Sequence, residues 1–207
     1  MVTQFLGNKT LMGDLAIAIM FLAYGLQLWK TWKGISEPHP IAWFGFGFLT
    51  GIGYLVQVQK GAGPGSWVMG FTAIFCFLVG SMSQYKRRWR LSDFDGWDWG
   101  SLMTGAGLFI LYLACAHLSW GPLISVVLAT SADLVLYIPI FKKAWMFPGK
   151  EYAPSYGLNS LKFVPSIFAM DSYSAETYLY PSAMIIINAI VVIYLAWRLK
   201  RLAPHIS

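Results

Sequence analysis

Two ionisable residues lie inside strongly apolar stretches of this sequence, and they are the first candidates for binding or proton transfer. Asp133 follows the run "SVVLATSA", and Lys162 lies within "YGLNSLKFVPSIF". An ionisable side chain in hydrocarbon is costly and rare, and it usually points into a helix bundle, where it contacts ions, protons or polar solutes. The two residues therefore predict a site that binds a polar solute or couples its movement to protons.

Each charge also has a structural interpretation, and both interpretations stay open at this stage. Lys162 lies about seven residues from the nearer end of its apolar stretch, so its long side chain could reach the membrane surface. Asp133 could form a structural ion pair, or it could be a protonated acid held by hydrogen bonds.

Amide and aromatic side chains extend the candidate site. Asn159 shares the polar stretch of the lysine, and Asn188 interrupts the apolar run "IIINAIVV". Either amide can hydrogen-bond a solute or a neighbouring helix. Tyr54, Tyr112 and Tyr137 offer rings and hydroxyls that suit sugars or other polar rings, although aromatic-rich spans supply such residues by default.

The composition indicates that a lipid bilayer surrounds the elements that position these groups. Of 207 residues, 57% are hydrophobic and only 12% are charged, far from the balance of a soluble domain. A membrane-spanning helix needs about 20 mostly apolar residues. The sequence predicts seven such spans, at 11–30, 38–58, 65–84, 101–118, 121–143, 155–171 and 177–198. We therefore expect an all-α membrane protein.

The basic residues are distributed unequally between the loops. If successive spans alternate in direction, most Lys and Arg residues share one face of the membrane, while Lys9 and Lys60 lie on the other. The positive-inside rule places the basic face in the cytoplasm. We therefore predict a plasma (inner) membrane protein with its N-terminus outside and its C-terminus cytoplasmic, and no nucleic-acid partner.

The end of the fifth predicted span repeats part of the end of the first, and we name the two matching nine-residue stretches the echo segments. "YGLQLWKTW" begins at Tyr24 and "YIPIFKKAW" begins at Tyr137, with Tyr, Lys and Trp at the same three places. The match continues after a one-residue gap, and each half ends in a basic cluster. Two three-span units can lie parallel in the membrane only if an odd number of spans connects them. We predict a first three-helix repeat at 1–90, a linker helix at 91–120 and a second repeat at 121–207.

These features resemble the PQ-loop family, which includes the SWEET sugar transporters and lysosomal amino-acid exporters. Its members carry Pro-Gln near the cytoplasmic end of the first helix of each repeat, followed three residues later by a basic residue. Gln27 and Pro139 each match one member of that dipeptide, and Lys30 and Lys143 stand at the basic position. The stretch "YLYPSAM" resembles the SWEET segment that contains Pro-Asn, with Ser182 in place of Asn.

The resemblance implies a transporter with a 3+1+3 arrangement of helices. It would move a small polar solute, above all a sugar-like one, by alternating access between the repeats, with proton coupling left open. Pro139 and Pro165 would be hinges or fixed kinks, with Gln27 and Tyr137 also at the gate. The substrate-binding or coupling residues would be Asp133, Lys162, Asn188, Asn159, Tyr54 and Ser182. Lys162 would pair with Asp133 or bind an anionic group.

Other functional classes fit the sequence less well. The three histidines lie in separate segments without metal-ligand spacing, and no nucleophile elbow or phosphate-binding loop occurs. We therefore expect neither an enzyme nor a bound metal or cofactor. A retinal protein would need its lysine in the seventh span, where 177–198 has none. A receptor or sensor on the same bundle is the alternative to a transporter, and homo-oligomerisation is left open.

Overall fold

The computed structural model describes residues 8–115 and 121–202, and every regular element in these ranges is helical, with no strand. Seven helices result when α5 and α6 are counted as one interrupted helix. The helices are α1 Lys9–Trp32, α2 Pro40–Gln59, α3 Trp67–Arg87, α4 Gly96–Cys115, α5 Gly121–Val135, α6 Tyr137–Met146, α7 Ala153–Phe168 and α8 Ala175–Leu202. The all-α class predicted from the sequence is confirmed.

Among the described residues, four helices are long and apolar enough to cross a membrane, namely α1, α2, α8 and the segment Gly63–Arg87 that contains α3. Their outer surfaces carry large apolar side chains, which include Leu55 and Ile193 at 58% and 68% exposure. Polar side chains such as Gln27 and Asp133 are instead buried, each at 1% exposure. A surface of this kind suits hydrocarbon better than water, since exposed apolar area in water is unfavourable.

Local sequence signals set several helix ends. Asn8 caps α1 by accepting a hydrogen bond from the Leu11 backbone N–H at 3.1 Å. Pro40 occupies the first position of α2, where its missing N–H needs no partner. After α1, Gly34 adopts a φ of 69°, a conformation that glycine reaches without a Cβ clash.

The fifth predicted span, 121–143, is divided at Leu136. α5 ends at Val135 and α6 begins at Tyr137. Pro139 explains this position, because a proline ring clashes with the carbonyl four residues earlier, here that of Val135, and cannot donate to it. The Leu136 N–H contacts both the Ala132 carbonyl, at 3.3 Å, and the Asp133 carbonyl, at 3.1 Å. The break therefore lies within one turn of Asp133.

The helices pack in two groups that follow the same order. α3 lies between α1 and α2, and α8 lies between α5 and α7. The groups meet where α1 packs against α7 and where α2 packs against α5. α4 packs mainly against α5 and also touches α2.

One end of the bundle, which we name the basic end, carries the last residues of α1, α3, α6 and α8. Arg87 at the end of α3 forms an ion pair with Glu37, which precedes α2. Arg198 of α8 donates a hydrogen bond to the Trp145 carbonyl of α6 at 2.9 Å. The opposite end, which carries the first residues of α1 and α8 and the last residues of α2, is named the far end. The alternation of helix directions thus gathers Arg87 and Arg198 at one face of the bundle.

Candidate functional site

A small polar cavity, which we name the central chamber, lies between the two helix groups. Its volume is about 30 Å³, enough for about two water molecules at most. The chamber is lined by Tyr24, Trp43, Phe46, Thr50, Thr72, Cys76, Asp133, Tyr137, Tyr156, Asn159, Lys162, Phe163, Tyr180, Met184 and Asn188. Every helix of the two groups contributes to this lining, so the chamber is formed only when both groups are assembled.

Lys162 is fully buried at the side of the chamber formed by α1, α3 and α7. Its ammonium donates to the Thr72 hydroxyl at 2.7 Å and to the Tyr24 hydroxyl at 3.4 Å. It also lies 4.6 Å from the ring centroid of Tyr24 and 4.8 Å from that of Phe163. Rings at this distance attract a cation through their negative faces. The snorkelling interpretation is wrong, because the lysine is 1% exposed.

Asp133 lies at the end of a chain of hydroxyl groups from α2 and α8. The Tyr180 hydroxyl donates to Asp133 Oδ2 at 3.2 Å. The same hydroxyl lies 2.7 Å from the Thr50 hydroxyl. Because a tyrosine has one hydroxyl hydrogen, Thr50 must donate to Tyr180. The chain therefore runs from Thr50 through Tyr180 to Asp133, with all three side chains buried.

Asp133 and Lys162 line the same chamber but form no direct ion pair with each other, since each contacts other side chains instead. Three polar atoms of the lining have no hydrogen-bond partner in the described residues: Asp133 Oδ1, Asn159 Oδ1 and Trp43 Nε1. Buried polar groups are almost always paired. Such unpaired atoms around one chamber indicate where a bound molecule or water would bond.

Other chamber residues bond mostly to each other. The Tyr24 hydroxyl lies 3.3 Å from the Cys76 sulfur, and the Tyr137 hydroxyl donates to the Met184 sulfur at 3.9 Å. Asn188 donates from Nδ2 to the Met184 carbonyl, one turn earlier on α8, at 2.8 Å. The Asn188 amide thus has a partner within its own helix.

Five predicted site residues lie away from the chamber lining. Tyr54 packs against Gly70 of α3, and Ser182 is half-buried on α8. Gln27 uses its amide N–H groups on Ser36, at 3.0 Å, and Thr31, at 3.4 Å. Pro165 is buried within α7, and Pro139 lines a separate pocket of about 180 Å³ near the basic end. The side chain of Tyr112 lies outside the part that the structure describes.

At the basic end, one ion pair and one backbone hydrogen bond join the two groups. Glu37, in the first group, pairs with Lys150 of the second at 2.9 Å, and its N–H donates to the Lys150 carbonyl at 3.0 Å. Glu37 also pairs with Arg87. Partial burial raises the pKa of Glu37, but the hydrogen bond from Lys150 and the charge of Arg87 outweigh it, so the pKa is lowered. Glu37 is therefore ionised at neutral pH.

Glu151, which the repeat with its one-residue gap matches to Glu37, forms a similar pair. Glu151 lies 3.1 Å from Lys143, and both side chains are buried. The Tyr156 hydroxyl, which lines the chamber, donates to Glu151 at 2.8 Å. Chamber and basic end are thus connected through one tyrosine.

A second set of polar contacts lies at the far end. Gln57 at the end of α2 donates from Nε2 to the Thr177 carbonyl of α8 at 2.6 Å. Lys9 pairs with Asp171 at 3.1 Å, and the Asp171 N–H donates to the Ala62 carbonyl at 3.1 Å. These contacts also join the first helix group to the second.

Sequence reasoning missed the partners of the two charges. Thr72, Thr50 and Tyr180 lie in apolar spans with no charge beside them, and single hydroxyl residues are common in such spans. Tyr24 had a signal, since it begins the echo segment and Tyr137 holds the same place in the second half. Both tyrosines line the chamber.

Comparison with models of protein families, with curated proteins and with solved structures found no match to this chain. The geometry of the chamber and of the contacts at the two ends therefore carries the functional argument. An acid, an amine and aromatic walls around one buried chamber are the groups that bind small polar solutes, and the chamber would have to widen from about 30 Å³ to admit one.

Proposed function

We propose that the protein is a membrane transporter that carries a small polar solute by alternating access between two SWEET-like three-helix repeats joined by α4. The observation that carries this proposal is the central chamber. It lies between the two helix groups and contains Asp133 and Lys162, and polar contacts join the groups towards both ends. Transporters of this architecture bind substrate near the middle of the membrane between their repeats.

The packing order supports the repeat. The packing order in the first group is α1, α3, α2, and in the second group it is the matching order α5, α8, α7. α4 lies outside both groups. Each group also has a matched contact at the basic end. The Lys86 ammonium of α3 lies 4.5 Å from the ring centroid of Trp32, and the Arg198 guanidinium of α8 lies 4.1 Å from that of Trp145. Trp32 and Trp145 are the final residues of the two echo segments.

The contacts between the groups suit a rocking motion. The Glu37–Lys150 pair joins the groups at the basic end, and the Gln57–Thr177 hydrogen bond joins them at the far end. Breaking the contacts at one end while keeping those at the other would open the chamber to one side at a time. The packing of α1 against α7 and of α2 against α5 would have to shift with these polar contacts between the two states.

Counterflow in proteoliposomes tests this proposal. Purified protein is reconstituted with an unlabelled internal solute, and uptake of the same labelled solute is followed for glucose, phenylalanine and tyramine. We expect at least one of these solutes to accumulate transiently with the wild-type protein and not with empty liposomes. A receptor would bind a solute, and be stabilised by it, without exchanging it across the bilayer. That result, or no exchange of any of the three solutes, would overturn the transport proposal.

A further inference from the structure

Lys162 and Asp133, the two ionisable residues of the central chamber, differ in how many contacts they make with other protein groups. An ammonium has three N–H donors. Those of Lys162 face the Thr72 hydroxyl, the Tyr24 hydroxyl and the rings of Tyr24 and Phe163. The lysine is thus surrounded on several sides by its own protein. It is poorly placed to bind an anionic solute without first losing these contacts.

The acid is bound on one side only. Tyr180 donates to Oδ2 of Asp133, while Oδ1 has no hydrogen-bond partner. The side chain is 1% exposed, so a free acceptor at this position costs free energy unless a donor reaches it. Asn159 adds a second unpaired acceptor, its Oδ1, to the lining of the same chamber.

The free atoms of the lining select the chemistry of a ligand: two are acceptors on Asp133 and Asn159, and the third, Trp43 Nε1, is a donor for an acceptor group on the ligand. Acceptor oxygens bind N–H or O–H donors and repel carboxylates. A carboxylate removed from water is satisfied best by a cation that also donates hydrogen bonds. An ammonium group fits this requirement at Asp133 better than a sugar hydroxyl, since it brings the opposite charge.

The walls of the chamber select the remainder of the ligand. Trp43, Phe46, Tyr137 and Tyr156 are among the aromatic residues that line the same chamber as the acid. Aromatic rings pack with other rings in stacked or edge-to-face arrangements and attract a nearby cation. A flat ring that carries an amine would use both the walls and the free acceptors.

We propose that the central chamber, once movement of the two helix groups has widened it beyond its closed volume of about 30 Å³, binds a ring-bearing amine whose ammonium donates to Asp133 Oδ1 and Asn159 Oδ1, and that it discriminates against carboxylates. The inference rests on the chamber being the solute site of the proposed transporter. It reassigns Lys162 from a ligand of the solute to a buried hydrogen-bond donor that joins α7 to α1 and α3.

A matched series of ring compounds tests the preference. Benzylamine, benzyl alcohol and benzoate share one ring and differ in the charge of the attached group. Thermal unfolding of the full-length protein in detergent is measured with each compound, since a bound ligand raises the apparent Tm. We expect benzylamine to raise Tm by roughly 3 °C or more at saturation, benzyl alcohol to raise it less and benzoate to leave it unchanged. No shift with benzylamine, or a shift with benzoate of equal size, would overturn the inference.

A variant pair locates the effect at the acid. Asp133→Asn should weaken benzylamine binding by about tenfold or more, because a desolvated charge pair is lost, while binding of benzyl alcohol changes little. Thr130→Val is the matched control, since Thr130 is also buried and unpaired on α5 but does not line the chamber. An unchanged benzylamine preference in Asp133→Asn contradicts the assignment. Counterflow is a separate measurement, so a receptor with this amine preference would overturn the transport proposal alone.

Discussion

The ammonium of Lys162 on α7 donates a hydrogen bond of 2.7 Å to the hydroxyl of Thr72 on α3. This contact joins the two helix groups beside the central chamber. A lysine buried in a bundle is costly, because its ammonium loses the hydration that it has in water. Its retention in the chamber therefore points to function more than to stability.

Lys162→Met tests that distinction. We expect its apparent Tm in detergent to equal or exceed that of the wild type, because the desolvation cost of the ammonium is removed and only Thr72 and Tyr24 lose a partner. Counterflow should fall at least about tenfold, since the inter-group contact at the chamber is lost. A variant that transports at the wild-type rate would show that the lysine has no part in transport.

Tyr180→Phe tests the hydroxyl chain that ends at Asp133. The change removes the only hydrogen bond to Asp133 Oδ2 among the described contacts and leaves Thr50 without its acceptor. Unpaired buried polar groups cost about 1–3 kcal/mol, so we expect a lower free energy of unfolding in urea or a clearly lower Tm. Tyr54→Phe is the matched control, because that ring packs against Gly70 outside the chamber. Equal losses in the two variants would contradict the chain.

The Glu37 contacts predict a loss of stability in acid. The pKa of Glu37 in the folded protein lies below the value of 4.5 expected for an unfolded chain. Its contribution is therefore present above about pH 4.5 and is lost as the pH falls through the folded-state pKa. Glu37→Gln should remove about 1 kcal/mol at pH 7, with a smaller difference from wild type below pH 4.

Thermal unfolding of both proteins across pH 3–7 measures this effect. Asp14→Asn is the control for loss of one carboxylate, since Asp14 is exposed on α1. Parallel pH profiles for wild type and Glu37→Gln would exclude a role for the Glu37 pairs in acid stability.

Cysteine labelling tests the predicted orientation of the chain. In a Cys76→Ser, Cys115→Ser background, one cysteine is placed at Tyr85 near the basic end, where the side chain is 72% exposed, or at Lys60 near the far end. The positive-inside rule predicts that a membrane-impermeant maleimide labels Lys60→Cys on intact cells and Tyr85→Cys only after permeabilisation. The reverse pattern would place the basic end outside.

Much of the fold follows from the sequence by itself. The helical class and the approximate bounds of the helices depend on runs of apolar residues and on local signals such as Pro40 and Asn8, which act within a few residues of the chain. Asp133 and Lys162 could be selected for the same reason, because an ionisable residue in an apolar run is costly wherever the helix lies. The break of the fifth span near Pro139 also has a local cause.

The partners of those charges were decided only by tertiary structure. Thr72 lies 90 residues from Lys162, and Thr50 lies 130 residues from Tyr180, so no local periodicity relates them. Which faces of distant helices meet depends on the packing of the whole bundle, where side-chain shape and close approach select one arrangement. That packing occupies the ammonium with protein groups and leaves one oxygen of Asp133 free, and this difference sets the chemistry that we propose for the chamber.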